Sequence, residues 1–69
     1  MKNATESSLD PADLLPGERV RVHPNDRYPY TGDVEDTCPQ QSVVWIRDVQ
    51  TGERKMLHTD ECSLFPWKP

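Results

Sequence analysis

Short β-type runs separated by Gly and Pro fill the chain from Glu18 to Trp67, and this spacing constrains the fold more than any other feature. Runs of Val, Ile, Trp, Tyr and Thr bounded by turn residues are typical of strands. The pattern predicts an all-β fold, a small five-stranded barrel. No set of residues has the spacing of a known catalytic or metal motif, so the sequence predicts the fold more clearly than the function.

The chain is short and acidic, which limits its organisation. Its 69 residues make one domain with a small core, and 33% of them are hydrophobic. Residues 1–8 are polar and lack an apolar period, so we expect a disordered leader before a single domain at 9–69. The net charge of -4 opposes non-specific attraction to nucleic acid or to an anionic membrane.

Hydropathy and cysteine content indicate a compartment. No apolar run has the length of a membrane span or of a signal-peptide core, so we expect a soluble protein that stays in the cytoplasm. Cys38 and Cys62 are then expected to be free, although a bridge between them stays open. A zinc site that adds His23 and His58 lacks the paired spacing of structural zinc sites, so we predict no metal and no cofactor.

Turn and capping residues along the chain predict where the helical turn and the strands begin and end. Asp10 and Pro11 begin one helical turn whose leucines, Leu14 and Leu15, should plug an end of the barrel. Gly52 provides the positive φ of a tight hairpin. A proline restricts the last strand to a sheet edge. The predicted strands are 18–23, 33–36, 42–48, 54–58 and 64–67.

The third predicted strand carries the most informative aromatic residue. If Val44 and Ile46 face the core, alternation directs Trp45 outward together with Val43 and Arg47. An outward Trp beside an Arg is typical of contact surfaces. The opposite register would place Trp45 in the core and remove that inference.

The order of elements resembles that of Src-homology-three-like small barrels, in particular their KOW and Tudor members. The resemblance rests on the runs Pro16–Val22, Gly32–Val34, Val43–Ile46 and Thr59–Leu64. It covers about fifty residues and rests on residues that mark the boundaries of strands and turns. It implies a fold and a non-catalytic binding module, although fold does not by itself imply function. The acidic-aromatic signature of peptide-binding Src-homology-three domains is absent.

The resemblance also implies a contact face, formed by the first long loop, the loop before the third strand and the last turn. Aromatic residues there suit a proline-rich peptide, a methylated cation or a stacked base. The alternative is that the two tyrosines pack the loop onto the barrel. The candidate binding residues are Arg27, Tyr28, Tyr30, Trp45, Arg47 and Trp67.

These observations favour a monomeric module that docks on a protein partner. The alternative is a KOW-like protein that binds nucleic acid, or that associates with the ribosome or a polymerase, through Arg19, Arg21, Arg47, Arg54 and Lys55. Interspersed acidic residues would weaken such a basic face. An enzyme is not predicted, because nothing aligns the possible acid-base residues into a catalytic set; these residues are Asp26, His58, Asp60 and Glu61.

Overall fold

The structure is a computed structural model that describes residues 8–68. Its five strands are β1 (Arg19–Pro24), β2 (Tyr30–Cys38), β3 (Val43–Asp48), β4 (Arg54–His58) and β5 (Cys62–Pro66). Two 3-10 turns, Pro11–Asp13 and Pro39–Gln41, complete the regular structure of this part of the chain. The predicted all-β class is confirmed. The leader that we expect to be disordered spans residues 1–8. Of these, residues 1–7 lie outside the described residues, and Ser8 is described.

All five strands belong to one antiparallel sheet with the order β4-β3-β2-β1-β5. The sheet curls, so that Leu57 of β4 and Cys62 of β5 line one groove. No ladder joins β4 to β5, and the five-stranded barrel is therefore not closed by hydrogen bonds. The last strand lies at an edge, as the proline in it predicts.

Alternating apolar residues of the strands form the core. The fully buried side chains come from β1, β2, β3 and β5, and they are Val20, Val22, Val34, Val44, Ile46 and Leu64. Val43 is also buried, although it shares the outward face of β3 with Trp45 and lies outside the core cluster.

The N-terminal 3-10 turn contributes one leucine to this core. The Asp10 carboxylate accepts a hydrogen bond from the Ala12 amide, which caps the turn as predicted. Leu14 is buried, but Leu15 is 69% exposed, so the prediction that both leucines plug the barrel is wrong for Leu15. The backbone is extended at Leu14, and successive side chains of an extended chain point in opposite directions.

Strand β2 begins earlier than predicted. Tyr30 is its first residue and pairs with Val22, so the loop after β1 is shorter than the predicted 24–31 segment. Gly32, which lies between the first two predicted strands, pairs with Val20 and is buried. A Cβ atom on Gly32 would overlap the Cγ2 methyl of Ile46, so the close approach of β2 and β3 requires glycine here.

The hairpin between β3 and β4 forms as predicted. Gly52 has φ +77°, and its amide donates to the carbonyl of Asp48 at 2.8 Å. The Asp48 carboxylate accepts hydrogen bonds from the amides of Gln50 and Thr51 at 2.8 and 3.3 Å. These bonds hold the hairpin loop and fix the register in which β4 returns along β3.

Candidate outer-face binding site

Trp45 lies on the outward face of β3, as alternation predicts. Its neighbours Val44 and Ile46 are fully buried, while Trp45 is half-buried. The guanidinium of Arg54 on β4 stacks over the indole, with 4.2 Å between the guanidinium carbon and the ring centroid. This is cation-π geometry, and it holds the indole in a defined orientation at the surface.

Three arginines continue this face across the sheet. Register pairs Arg19 of β1 with Asp33 of β2, Asp33 with Arg47 of β3, and Arg47 with Arg54 of β4. Residues that are directly opposite on neighbouring strands share a face. We call the set Arg19, Asp33, Arg47 and Arg54 the arginine row.

Glu35 joins two members of the arginine row. Its carboxylate accepts from Arg47 at 2.6 Å and from Arg54 at 2.8 Å. Arg47 also donates to the Gly52 carbonyl at 2.8 Å. The hydrogen bond from Arg47 is the main cause that lowers the pKa of Glu35, and that from Arg54 acts in the same direction against the effect of burial. The side chains of the row are therefore held in place before any partner arrives.

A β-bulge explains how Glu35 reaches this position. The pairing of β2 with β3 shifts between Val34 and Asp36, so Glu35 has no direct partner on β3. A bulge turns the following residue back to the same face. Asp36 consequently pairs with outward Trp45 and is exposed, although strict alternation from Val34 would direct it into the core.

The other end of the arginine row carries Trp67. Arg19 binds Asp33 through two hydrogen bonds of 2.7 and 3.2 Å, and the bond from Arg19 lowers the pKa of Asp33. The Arg19 guanidinium lies 5.7 Å from the Trp67 ring centroid. Trp67 is 38% exposed. The outer face thus has a tryptophan contacted by an arginine at each end.

The two tyrosines of the predicted loop lie in different environments. Tyr28 is 91% exposed and lines a shallow hollow with Arg27. Tyr30 packs against the core, and the Lys55 ammonium lies 4.3 Å from its ring centroid. Burial is the main cause that raises the pKa of Tyr30. The packing alternative therefore describes Tyr30, and Tyr28 is the tyrosine that is open to a partner.

The six predicted binding residues consequently fall into separate places. Trp45 and Arg47 lie together on the outer face, and Trp67 lies at the far end of the arginine row. Arg27 and Tyr30 line the groove between β4 and β5, while Tyr28 points to solvent. Arg27 is 3.8 Å from Asp26 in an exposed ion pair, which contributes little to stability.

Sequence reasoning missed the contacts of Arg54 and Glu35. The hairpin register around Gly52 places Arg54 opposite Arg47, so the turn signal in the sequence contained this information. Glu35 depends on the bulge, which has no such signal. The predicted basic face needs one correction: Lys55 pairs with buried Ile46 and faces inward, with its ammonium 3.6 Å from the Asp48 carboxylate.

Asp48 is almost completely buried, and its charge is balanced locally. Burial, the largest influence, would raise its pKa, but the amides of Gln50 and Thr51 and the ammonium of Lys55 together lower it. Both cysteines are free, and burial raises the pKa of the Cys62 thiol. Within residues 8–68 no group of His, Cys, Asp and Glu is arranged to hold a metal ion.

No protein-family model matches this chain, and neither a curated protein nor a solved structure matches it significantly. In the described part of the chain, no helix is long and apolar enough to cross a membrane.

Proposed function

We propose that this protein is a non-catalytic binding module of the cytoplasm that docks, as a monomer, on a protein partner through the outer face. The observation that carries the proposal is the outward Trp45, stacked under Arg54 beside Arg47. Trp and Arg are the residues most enriched among those that dominate binding energy at protein interfaces. Exposed Tyr28 in the first loop is a second, separate candidate contact residue.

Preorganisation of this surface supports the proposal. Arginine side chains lose conformational entropy when a partner immobilises them, and that loss weakens binding. Here Glu35 and the Gly52 carbonyl already fix Arg47, and Glu35 fixes Arg54. The order of elements resembles that of Src-homology-three-like small barrels, which supports a binding module. The two free cysteines suit a reducing compartment.

A second candidate function is nucleic-acid binding of the KOW type. Arg19, Arg47 and Arg54 share one face, and two of them stack on tryptophans. Guanidinium and indole planes are surfaces on which bases stack. Each of these arginines, however, already binds a carboxylate, and Lys55 faces inward. Paired charges contribute little to the counterion release that drives nucleic-acid binding, so the protein partner is the better proposal.

Affinity capture from a cell extract tests the proposal. The bait is the full chain, used as wild type, as Trp45→Ala and as Leu15→Ala. Leu15 is 69% exposed and lies outside the outer face, so its replacement is a matched loss of exposed apolar area. We expect a protein that the wild type and Leu15→Ala capture equally and that Trp45→Ala loses. Equal capture by all three baits, with the extract treated with nuclease, would contradict the proposal.

A further inference from the structure

The two edges of the sheet are treated differently by the chain. On the outer edge of β5, the Leu9 amide donates to the Leu64 carbonyl at 2.7 Å, and the Leu64 amide donates to the Ser8 hydroxyl at 3.3 Å. The segment before the first turn therefore covers β5. On β4, the described residues engage only one group of the outer edge, the His58 carbonyl, which accepts from the Glu61 amide at 2.9 Å.

The hairpin register shows which groups of β4 remain open. The Thr59 amide bonds to the Ser42 carbonyl, and the Asp48 amide bonds to the Glu53 carbonyl. In an antiparallel ladder such bonded pairs recur at every second residue, so Lys55 and Leu57 also direct their backbone groups to β3. Met56 and the His58 amide therefore point away from the sheet, and no strand within residues 8–68 pairs with them.

The space beside this edge is a groove of about 410 Å³ between β4, the loop after β1 and the beginning of β5. Leu57, Tyr30, Pro24 and Cys62 contribute apolar surface to its floor beside charged residues of the lining. An extended peptide paired with β4 places every second side chain over this floor. The groove therefore suits an aliphatic side chain in the middle of such a peptide.

The rim of the groove is acidic. Glu53 stands at one end and Glu61 at the other, and neither carboxylate forms an ion pair within residues 8–68. The cations of the lining are already balanced, because Lys55 lies 3.6 Å from Asp48 and Arg27 lies 3.8 Å from Asp26. Charge complementarity therefore favours basic side chains at both ends of an added peptide.

We propose that β4 accepts an extended basic segment of a partner protein as a sixth, antiparallel strand. An aliphatic side chain of this segment lies opposite Leu57. Lys or Arg side chains two positions away on either side lie opposite Lys55, which Asp48 balances, and Thr59, and they reach Glu53 and Glu61 diagonally. The bonding residues are Met56 and His58. This site lies at the edge and inner side of β4, whereas Trp45 lies on the outer face, so the inference does not rest on the function proposed above.

Amide-resolved NMR with a synthetic peptide tests this proposal. The probe is a strand of about seven residues with the central sequence Lys-Thr-Val-Thr-Lys, in which the lysines and the valine share one face. We expect hydrogen exchange at the Met56 and His58 amides to slow about tenfold or more on saturation, with the Lys55 and Leu57 amides unchanged. An unchanged spectrum, or shifts without slower exchange at Met56 and His58, would overturn the proposal.

Matched peptides separate strand pairing from charge attraction. In an antiparallel pair the threonine amides face β4 and the valine amide faces away. N-methylation of the threonines should therefore weaken binding about tenfold or more, and N-methylation of the valine should change it little. Replacing both lysines by glutamate should abolish binding. Equal effects of the two methylations would overturn strand addition, and equal binding of the acidic peptide would overturn the basic partner.

Two variants and one control complete the test. Glu53→Gln and Glu61→Gln should each weaken binding of the lysine peptide, whereas Asp13→Asn, an exposed carboxylate on the first 3-10 turn, should not. Slow exchange at Met56 in the free protein that appears only as its concentration rises would identify a second copy of this chain as the occupant of β4. That outcome would overturn the proposal of a basic partner peptide.

Discussion

Side chains of β3 alternate between the core and the outer face, so truncation of two adjacent residues should reduce the stability by different amounts. Ile46 is completely buried, and truncation of a buried Ile to Ala costs about 2–5 kcal/mol. Trp45 points the other way and is half-buried, so truncation removes its contact with Arg54, worth about 0.5–1 kcal/mol, together with the apolar contacts of the covered part of the indole. We therefore expect Trp45→Ala to reduce the free energy of unfolding by about 1–2 kcal/mol and Ile46→Ala by more, because no part of Ile46 is exposed.

Urea unfolding followed by far-UV circular dichroism measures both variants without depending on the indole signal. For a domain of this size, a loss of 1 kcal/mol corresponds to a fall in Tm of about 4–8 °C. A double-mutant cycle with Arg54→Ala isolates the stacking contact, and we expect a coupling of about 0.5–1 kcal/mol. If Trp45→Ala destabilises the protein as much as Ile46→Ala, Trp45 is a core residue, and the outer-face site loses its basis.

Three further predictions concern the fold that positions the site. Gly32→Ala should cost about 1–3 kcal/mol in urea unfolding, because the added methyl group enters a filled core; a neutral effect would contradict the close strand approach. Leu14→Ala should cost about 2–5 kcal/mol and Leu15→Ala less than about 0.5 kcal/mol, by the same assay; equal costs would contradict the placement of the N-terminal turn. The lowered pKa of Asp48 predicts stability that is present above its unfolded pKa of about 3.9 and is lost as the pH falls through the lower folded value. Unfolding of Asp48→Asn, which keeps an oxygen acceptor but loses the attraction to Lys55, should therefore depend less on pH below about 5, and an unchanged acid dependence would contradict this assignment.

Strand identity was predictable where the sequence alternates clearly. Val44 and Ile46 identify the inner face of β3, and Gly52 fixes the hairpin, so the positions of Trp45 and Arg54 follow from local pattern alone. Boundaries were less predictable. The polar and aromatic composition of 24–31 predicts a loop that includes Tyr30, but tertiary pairing with Val22 makes Tyr30 the first residue of β2.

The electrostatic details of the site depend on features that a single sequence does not encode locally. The bulge in β2 places both Glu35 and Asp36 on the outer face, and no turn residue marks it. Inward Lys55 interrupts the predicted basic face because its side chain follows the pleat toward Asp48. The sequence thus predicts which residues are available for contact, and the register determines which of them meet.

The most direct test of the outer-face proposal is an amide-shift titration of isotopically labelled protein. The protein is titrated separately with the captured partner and with mixed RNA and DNA oligonucleotides at low salt. We predict that the partner shifts the Trp45 indole and the backbone of Arg47 and Arg54, and that the oligonucleotides leave them unchanged. Oligonucleotide shifts at these residues that disappear as salt is added, with none from the partner, would contradict the proposal and favour nucleic-acid binding.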